Sequence, residues 1–272
     1  MAEIAGWFTV GGRHIPYMVG QSKAEAAKAY MNSKHGKDVA RLSSKTYTKK
    51  KEASSGNKQL DNYRNMNAEE VNQLSSKLFS QKSSEIFDEG LNGNSDYQKV
   101  VRELGLNDKP KVLSEKEFNN QIKDNTPIYR GVKGTTKWDG KDYVVDRSGE
   151  DIVSNIKYGD KTYIGTGIYG DGIYFTDSHS AANKYAGLNS KAIATAFIDK
   201  SKSKIIDQAK LKDMRTEYFK ANPTVKQNGI FSDLSSFALY KGYNVISVNS
   251  KETEGNGNYY NVLDRSILVM KE

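Results

Sequence analysis

The chain has 272 residues, 36% of them hydrophobic, no cysteine and a formal net charge of +8. It is long enough for one large domain, or for one domain with appendages, and apolar enough to bury a core. The composition excludes disulfides and thiolate chemistry, and no run approaches the ~18 apolar residues of a membrane-spanning helix, so a soluble chain with no membrane partner is expected. The three histidines, His14, His35 and His179, are too scattered to suggest a metal site.

The charge is uneven. Residues 1–60 hold eleven Lys and Arg against four acids, which leaves the remainder close to neutral. An excess confined to one end reads either as a surface for a polyanion such as DNA or as a solubilising arm. Within it, Trp7–Val10 and His14–Val19 flank Gly11-Gly12 and predict two short strands around a tight turn. Ser22 and Glu25 form a capping box that opens a helix to about Met31, completing a small ββα unit over 1–31. Residues 32–60 lose periodicity and read as a basic linker or arm. The N-terminus lacks the basic-then-apolar pattern of a secretory leader.

A helical segment over 61–114 follows. Asn67 is a cap signal, and Val71, Leu74, Leu78 and Ile86 are spaced for one buried face. Ser95 caps a second helix through Val100, Val101 and Leu104, ended by Gly105, and Ser114 caps a third through Phe118 and Ile122.

Strands dominate from 115 onward. Pro127–Val132 is a strand with a central arginine, followed by a polar section to Gly159. Gly170 and Gly172 precede the strand Ile173–Thr176, and a helix-like run rich in small residues follows. Further strands are predicted at Ala192–Ile198, Lys204–Asp207, Tyr243–Val248 and Tyr259–Met270, with helices over 208–219 and 234–240. The last two strands are joined by a glycine-rich loop, Glu254–Asn258. Many strands with short connections predict an α+β, mainly antiparallel domain.

Three pieces stand in a recognisable order: Tyr129-Arg130-Gly131; Gly170 to Thr176 with the run through Tyr185; and Gly242 to Ile246 before Asn261 to Ser266. Together they resemble the ADP-ribosyltransferase fold, in the version attached to minor head proteins of tailed bacteriophages. The glycine-flanked Ile173-Tyr174-Phe175 strand is also similar to that of poly-ADP-ribose polymerases. The resemblance covers roughly residues 115–272. Trp7 to Pro16 is similar to a short element common in phage structural proteins.

The resemblance implies a split β-sheet domain, NAD as substrate, and a phage virion or host-cytoplasm location with a host protein, DNA or other virion proteins as partners. It implies that Arg130 holds the diphosphate or adjacent ribose and that Gly131 presents backbone to the nicotinamide amide. Gly172 and Tyr174 would floor the nicotinamide, Thr176 and Ser178 would supply hydroxyls, and Tyr185 would close the other face of the ring. The family's catalytic glutamate aligns with Tyr259 or Tyr260, and the nearest acids, Glu252 and Glu254, lie earlier in the loop. Two expectations therefore stand together: a transferase served by Glu254 and Arg130, or an inactive structural or DNA-associated virion protein on the same fold.

Overall fold

The computed structural model describes residues 4–10, 13–18, 57–80, 96–106, 108–159, 169–251 and 257–272. The helix expected from Ser22, the expected basic arm up to residue 56, Ile86, Glu252 and Glu254 lie outside the described residues, and the end of the expected arm is helical from Lys58. Contacts divide the chain into units 1–54 and 55–272. In the first, β1 (Ile4–Val10) pairs antiparallel with β2 (Arg13–Met18), Trp7 opposite Pro16 and Phe8 opposite Ile15.

The second unit begins with α1 (Lys58–Asn65), α2 (Ala68–Ser80) and α3 (Asp96–Glu103). The cap of α2 forms as its sequence dictates: the Asn67 carbonyl oxygen Oδ1 accepts from the Glu69 and Glu70 amides, and Glu70 returns a bond to the Asn67 amide. Gly105, at φ 63°, ends the helical run after α3. Next come β3 (Lys111–Leu113), α4 (Glu115–Gln121), β4 (Ile128–Gly131), the hairpin β5 (Thr135–Trp138) and β6 (Tyr143–Arg147), and α5 (Gly149–Tyr158). The remainder is β7 (Ile173–Thr176), α6 (His179–Tyr185), β8 (Ile193–Ile198), β9 (Ile205–Asp207), α7 (Gln208–Ala221), α8 (Leu234–Tyr240), β10 (Val245–Val248), β11 (Tyr259–Val262) and β12 (Leu268–Lys271). Among the described residues no helix is long and apolar enough to cross a membrane.

Eight strands form one sheet in the order β3-β12-β8-β4-β7-β11-β10-β9. Only the outermost pairs, β3 with β12 and β9 with β10, are parallel, so the fold is α+β with a mainly antiparallel sheet. Its middle is weak. β4 and β7 share a single partner pair, Tyr129 with Thr176, whereas β4 and β8 share four. The sheet is thus two four-stranded halves held at one point.

Strand alternation decides what each face carries. One face buries Ile128, Ile173, Phe175, Val262 and Leu268 against Ile152, Val153 and Ile156 of α5, and spans both halves. On the other face the halves are covered separately. Leu113, Phe197 and Val269 pack on Phe118 of α4, while Ile206, Ile246 and Leu263 pack with α1, α2, α3, α7 and α8.

Two segments differ from the sequence expectation. The polar section after Val132 contains a hairpin and a helix, the latter started by a Ser148–Asp151 capping box. The single strand expected over Tyr259–Met270 is two: β11 lies in one half of the sheet and β12 in the other, with the 3₁₀ turn Arg265–Ile267 between them. The break is a tertiary effect. Asp264 accepts the Ser266 amide, and the Arg265 side chain, 2% exposed, donates to the carbonyls of Asn155, Ile156 and Gly159 at the end of α5. A cation there also meets the negative end of the helix dipole.

Candidate functional site

The point where the halves meet gathers most of the residues singled out from the sequence. On β7, Tyr174 and Thr176 alternate away from the core residues Ile173 and Phe175. In register, Thr176 lies opposite both Tyr129 and Tyr259, and Tyr174 lies opposite Asn261. Partners across a strand pair share a face, so Tyr129, Tyr174, Thr176, Tyr259 and Asn261 stand on one side of the sheet. α6 lies over it, with the Tyr129 and His179 rings edge to face at 4.9 Å.

Arg130 occupies the break itself. Its place beside Ile128 and opposite Ala194 aims it from the other face of β4, and its Nη1 donates to the Tyr174 carbonyl at 2.9 Å. That carbonyl points toward β4 where the ladder has stopped, so the guanidinium takes the place of the missing backbone donor. Gly131 is required one residue on: a Cβ there would stand 1.7 Å from the Ala182 carbonyl oxygen of α6.

The glycines before β7 are equally confined. A Cβ on Gly172 would lie 1.9 Å from Oδ1 of Asn261, and Gly170 adopts φ 98° beside Ser235. Asn261, fully buried, donates through Nδ2 to the Gly170 carbonyl at 3.1 Å and to Ser235 Oγ at 3.2 Å. The Tyr174 hydroxyl donates to the same Gly170 carbonyl. Burial, with Asp233 and Asp171 nearby, pushes its phenol well up. Asp233 anchors the other side, accepting the Ser235 and Ser236 amides at the start of α8 and the Asp171 amide at 3.1 Å. Burial first, then the Asp171 charge, pushes the Asp233 carboxyl up to about 6.

The hydroxyls expected to face a ligand have structural duties. Thr176, buried, accepts the Ser178 amide at 3.1 Å, and Ser178 caps α6 by accepting the Ala181 amide at 3.2 Å. Tyr185, 59% exposed, has its hydroxyl 3.3 Å from that of Tyr259. Burial and then this contact push the Tyr259 phenol up, so it stays neutral. The pair stands at the open edge between α6 and β11.

Asp177 ties the loop before β11 to the end of β7. Its two carboxylate oxygens accept the backbone and side-chain amides of Asn258 at 2.9 and 2.7 Å, and its own amide donates to the Asn258 carbonyl. Asn258 Oδ1 in turn accepts the Ser250 amide at 3.0 Å. Gly257, at φ 86°, makes the close passage feasible, because a Cβ would meet Asp177 Oδ1 at 2.5 Å.

Comparison with protein-family models, characterised proteins and solved structures gave no match.

The geometry therefore gathers Tyr174, Thr176, Ser178, Tyr185 and Tyr259 on one face at the junction, with Gly131 and Gly172 in the adjoining backbone, while Arg130 lies at the same break but on the opposite face of the sheet, against the expectation that it shares a site with Tyr174 and Tyr185. Four contributors went unread in the sequence: Asp177, Asp233, Asn258 and Asn261. Only the Asx-like positions of Asp177 and Asp233 before helices carried any local signal. Among the described residues no group of three or more His, Cys, Asp or Glu could hold a metal ion. Among the described residues the chemistry on offer is one guanidinium, a set of phenols and backbone groups, and the carboxyls of Asp177 and Asp233, both engaged with amides.

Proposed function

We propose that residues 115–272 form an ADP-ribosyltransferase-like domain that binds NAD at the junction of β4, β7 and β11, in a protein carried by a tailed-phage particle. The observation that carries the reading is convergence. Three segments resembling that family, far apart in sequence, lie on adjacent strands, and they meet where the sheet's halves part. Exposed Tyr185 beside the junction offers a planar ring an aromatic face.

In the transfer reading, the bond between nicotinamide and ribose C1 breaks through an oxocarbenium-like state, an acceptor nucleophile on a host protein bonds C1, and nicotinamide leaves. The resemblance gives the diphosphate to Arg130, which would have to leave the Tyr174 carbonyl and the opposite face of the sheet to reach it, and Glu254 would supply the negative charge that favours the cation. Incubation with labelled NAD and host lysate tests this: transfer that is lost in Glu254→Ala supports it.

A second reading is favoured by Tyr259. The first residue of β11 places a neutral phenol, not a carboxylate, opposite Thr176. A phenol can bond a ribose hydroxyl but contributes no negative charge to a cationic transition state, so the domain would hold the dinucleotide without cleaving it. Saturable NAD binding with no transfer and no release of nicotinamide supports this version. Absence of any NAD binding sinks both. The basic residues 1–60 are assigned to DNA in either case, and loss of salt-dependent DNA binding on their deletion is the corresponding test.

A further inference from the structure

The four most exposed large apolar side chains among the described residues come from two places: Tyr143 at 74% and Val145 at 70% on β6, and Tyr185 at 59% and Leu188 at 78% at the end of α6. Single exposed apolar residues are ordinary, but such a concentration marks a surface that meets another molecule. The two places are pinned together. Asn189 donates through Nδ2 to Glu150 at 3.2 Å, and Glu150 lies five residues beyond Val145, a reach of at most about 18 Å. Tyr143 and Val145 share one side of a hairpin that does not join the main sheet.

Leu188 is held outward by the backbone. The Gly187 amide donates to the Lys184 carbonyl and the Leu188 amide to that of Asn183, both at 3.1 Å, while Gly187 and Leu188 take φ 62° and 67°. This is a common close of a helix, and it usually folds an apolar residue in the place of Leu188 back onto the last turn. Leu188 is exposed instead, and among the described residues it is the one non-glycine residue at positive φ. Strain kept in an exposed leucine, with no packing to offset it, calls for a contact outside the fold.

Three observations select the occupant. Residues 133–151 and 177–191, which carry these side chains, hold six Lys and Arg against six Asp and Glu, so nothing favours a polyanion over an apolar protein surface. The four side chains offer about 500 Å². That is short of the ~800 Å² per partner of a lasting interface, which suits a protein that docks and leaves better than a permanent second copy. Finally, the Tyr185 hydroxyl stands 3.3 Å from that of Tyr259 at the open edge of the junction, so a protein seated on this corner overhangs that edge.

We propose that this corner docks the protein acceptor of the transfer reaction, with an apolar patch of that protein lying on Val145 and Leu188. The inference rests on the transfer reading of the junction. The acceptor heteroatom bonds ribose C1 as the bond from C1 to nicotinamide breaks; nicotinamide leaves with that electron pair, and the acceptor's proton passes to water.

The test incubates the full chain with labelled NAD and host lysate, as wild type, Val145→Ser, Leu188→Gly and Ile205→Ser, and measures the NAD affinity and thermal midpoint of each. Ile205 is a control, an exposed apolar residue on β9 at the edge of the sheet. Wild type and Ile205→Ser should label a protease-sensitive acceptor equally. Val145→Ser and Leu188→Gly should label it at least about tenfold more slowly in dilute lysate, recover as the lysate is concentrated, and keep wild-type NAD affinity within about twofold. Leu188→Gly should melt no lower than wild type, since glycine takes a positive φ freely. Labelling unchanged in both variants, or reduced as much in Ile205→Ser, overturns the docking proposal alone. Loss of NAD affinity in the variants, or label on nucleic acid or a small molecule, overturns it as well. Wild type that binds NAD and labels nothing refutes both transfer and docking, and wild type that binds no NAD sinks the nucleotide site with them.

Discussion

Replacing Asp233 by asparagine isolates the electrostatic cost of the polar knot that positions β7. In the folded chain its carboxyl is raised from 3.8 to about 6 by burial and by Asp171. The folded state therefore binds a proton that the unfolded state has released between about pH 4 and 6. Stability from this group is greatest at the acid end of that window and falls as pH rises through it. The span corresponds to about 2–3 kcal/mol between pH 4 and 7. Asparagine can keep the two bonds to the Ser235 and Ser236 amides through its oxygen while carrying no titrating charge. Urea unfolding of wild type and Asp233→Asn at several pH values gives the difference directly, with carboxylates remote from Asp233 cancelling in the comparison. Wild type should lose about 2–3 kcal/mol relative to the variant on going from pH 4 to 7. A constant difference, or one of opposite sign, refutes the assignment of a buried, raised Asp233.

Other substitutions probe the same architecture. Gly131→Ala places a methyl against the Ala182 carbonyl, so α6 must move; about 3 kcal/mol of destabilisation is expected in thermal or urea unfolding. Arg265→Met strips three bonds from the end of α5 and leaves buried carbonyls unmet, at about 3 kcal/mol or more by the same measurement. Asp177→Ala releases Asn258 from β7 and should cost about 1–2 kcal/mol, with faster amide exchange at Asn258 and Tyr259 as the local readout.

What the sequence reveals and what it conceals separates along physical lines. The start of α2 at Asn67 and the end of α3 at Gly105 are legible because their causes lie within four residues. α5 was equally legible in principle, since Ser148 and Asp151 make a capping box before the spaced Ile152, Val153 and Ile156. β6 was not, because a strand exposing Tyr143 and Val145 at 74% and 70% buries no alternating face to betray it. The placement of β12 is invisible for another reason. Asp264-Arg265-Ser266 interrupts the apolar sequence, but no local pattern shows that β12 joins the other half of the sheet, where Arg265 docks on the end of α5. At the junction, Arg130, Tyr174 and Tyr185 are singled out by the family resemblance and by no local pattern. The partnership of Tyr259 with Thr176 and Tyr185 required strand order and register, which no local pattern encodes.

The most direct test of the central claim is calorimetric titration of the full chain with NAD, for wild type and for Tyr185→Ala. The account predicts saturable binding to wild type and an affinity about tenfold weaker in the variant, the loss of one aromatic face worth about 1.4 kcal/mol. No binding by wild type, or an affinity unchanged when Tyr185 is removed, would contradict a nucleotide site at the junction.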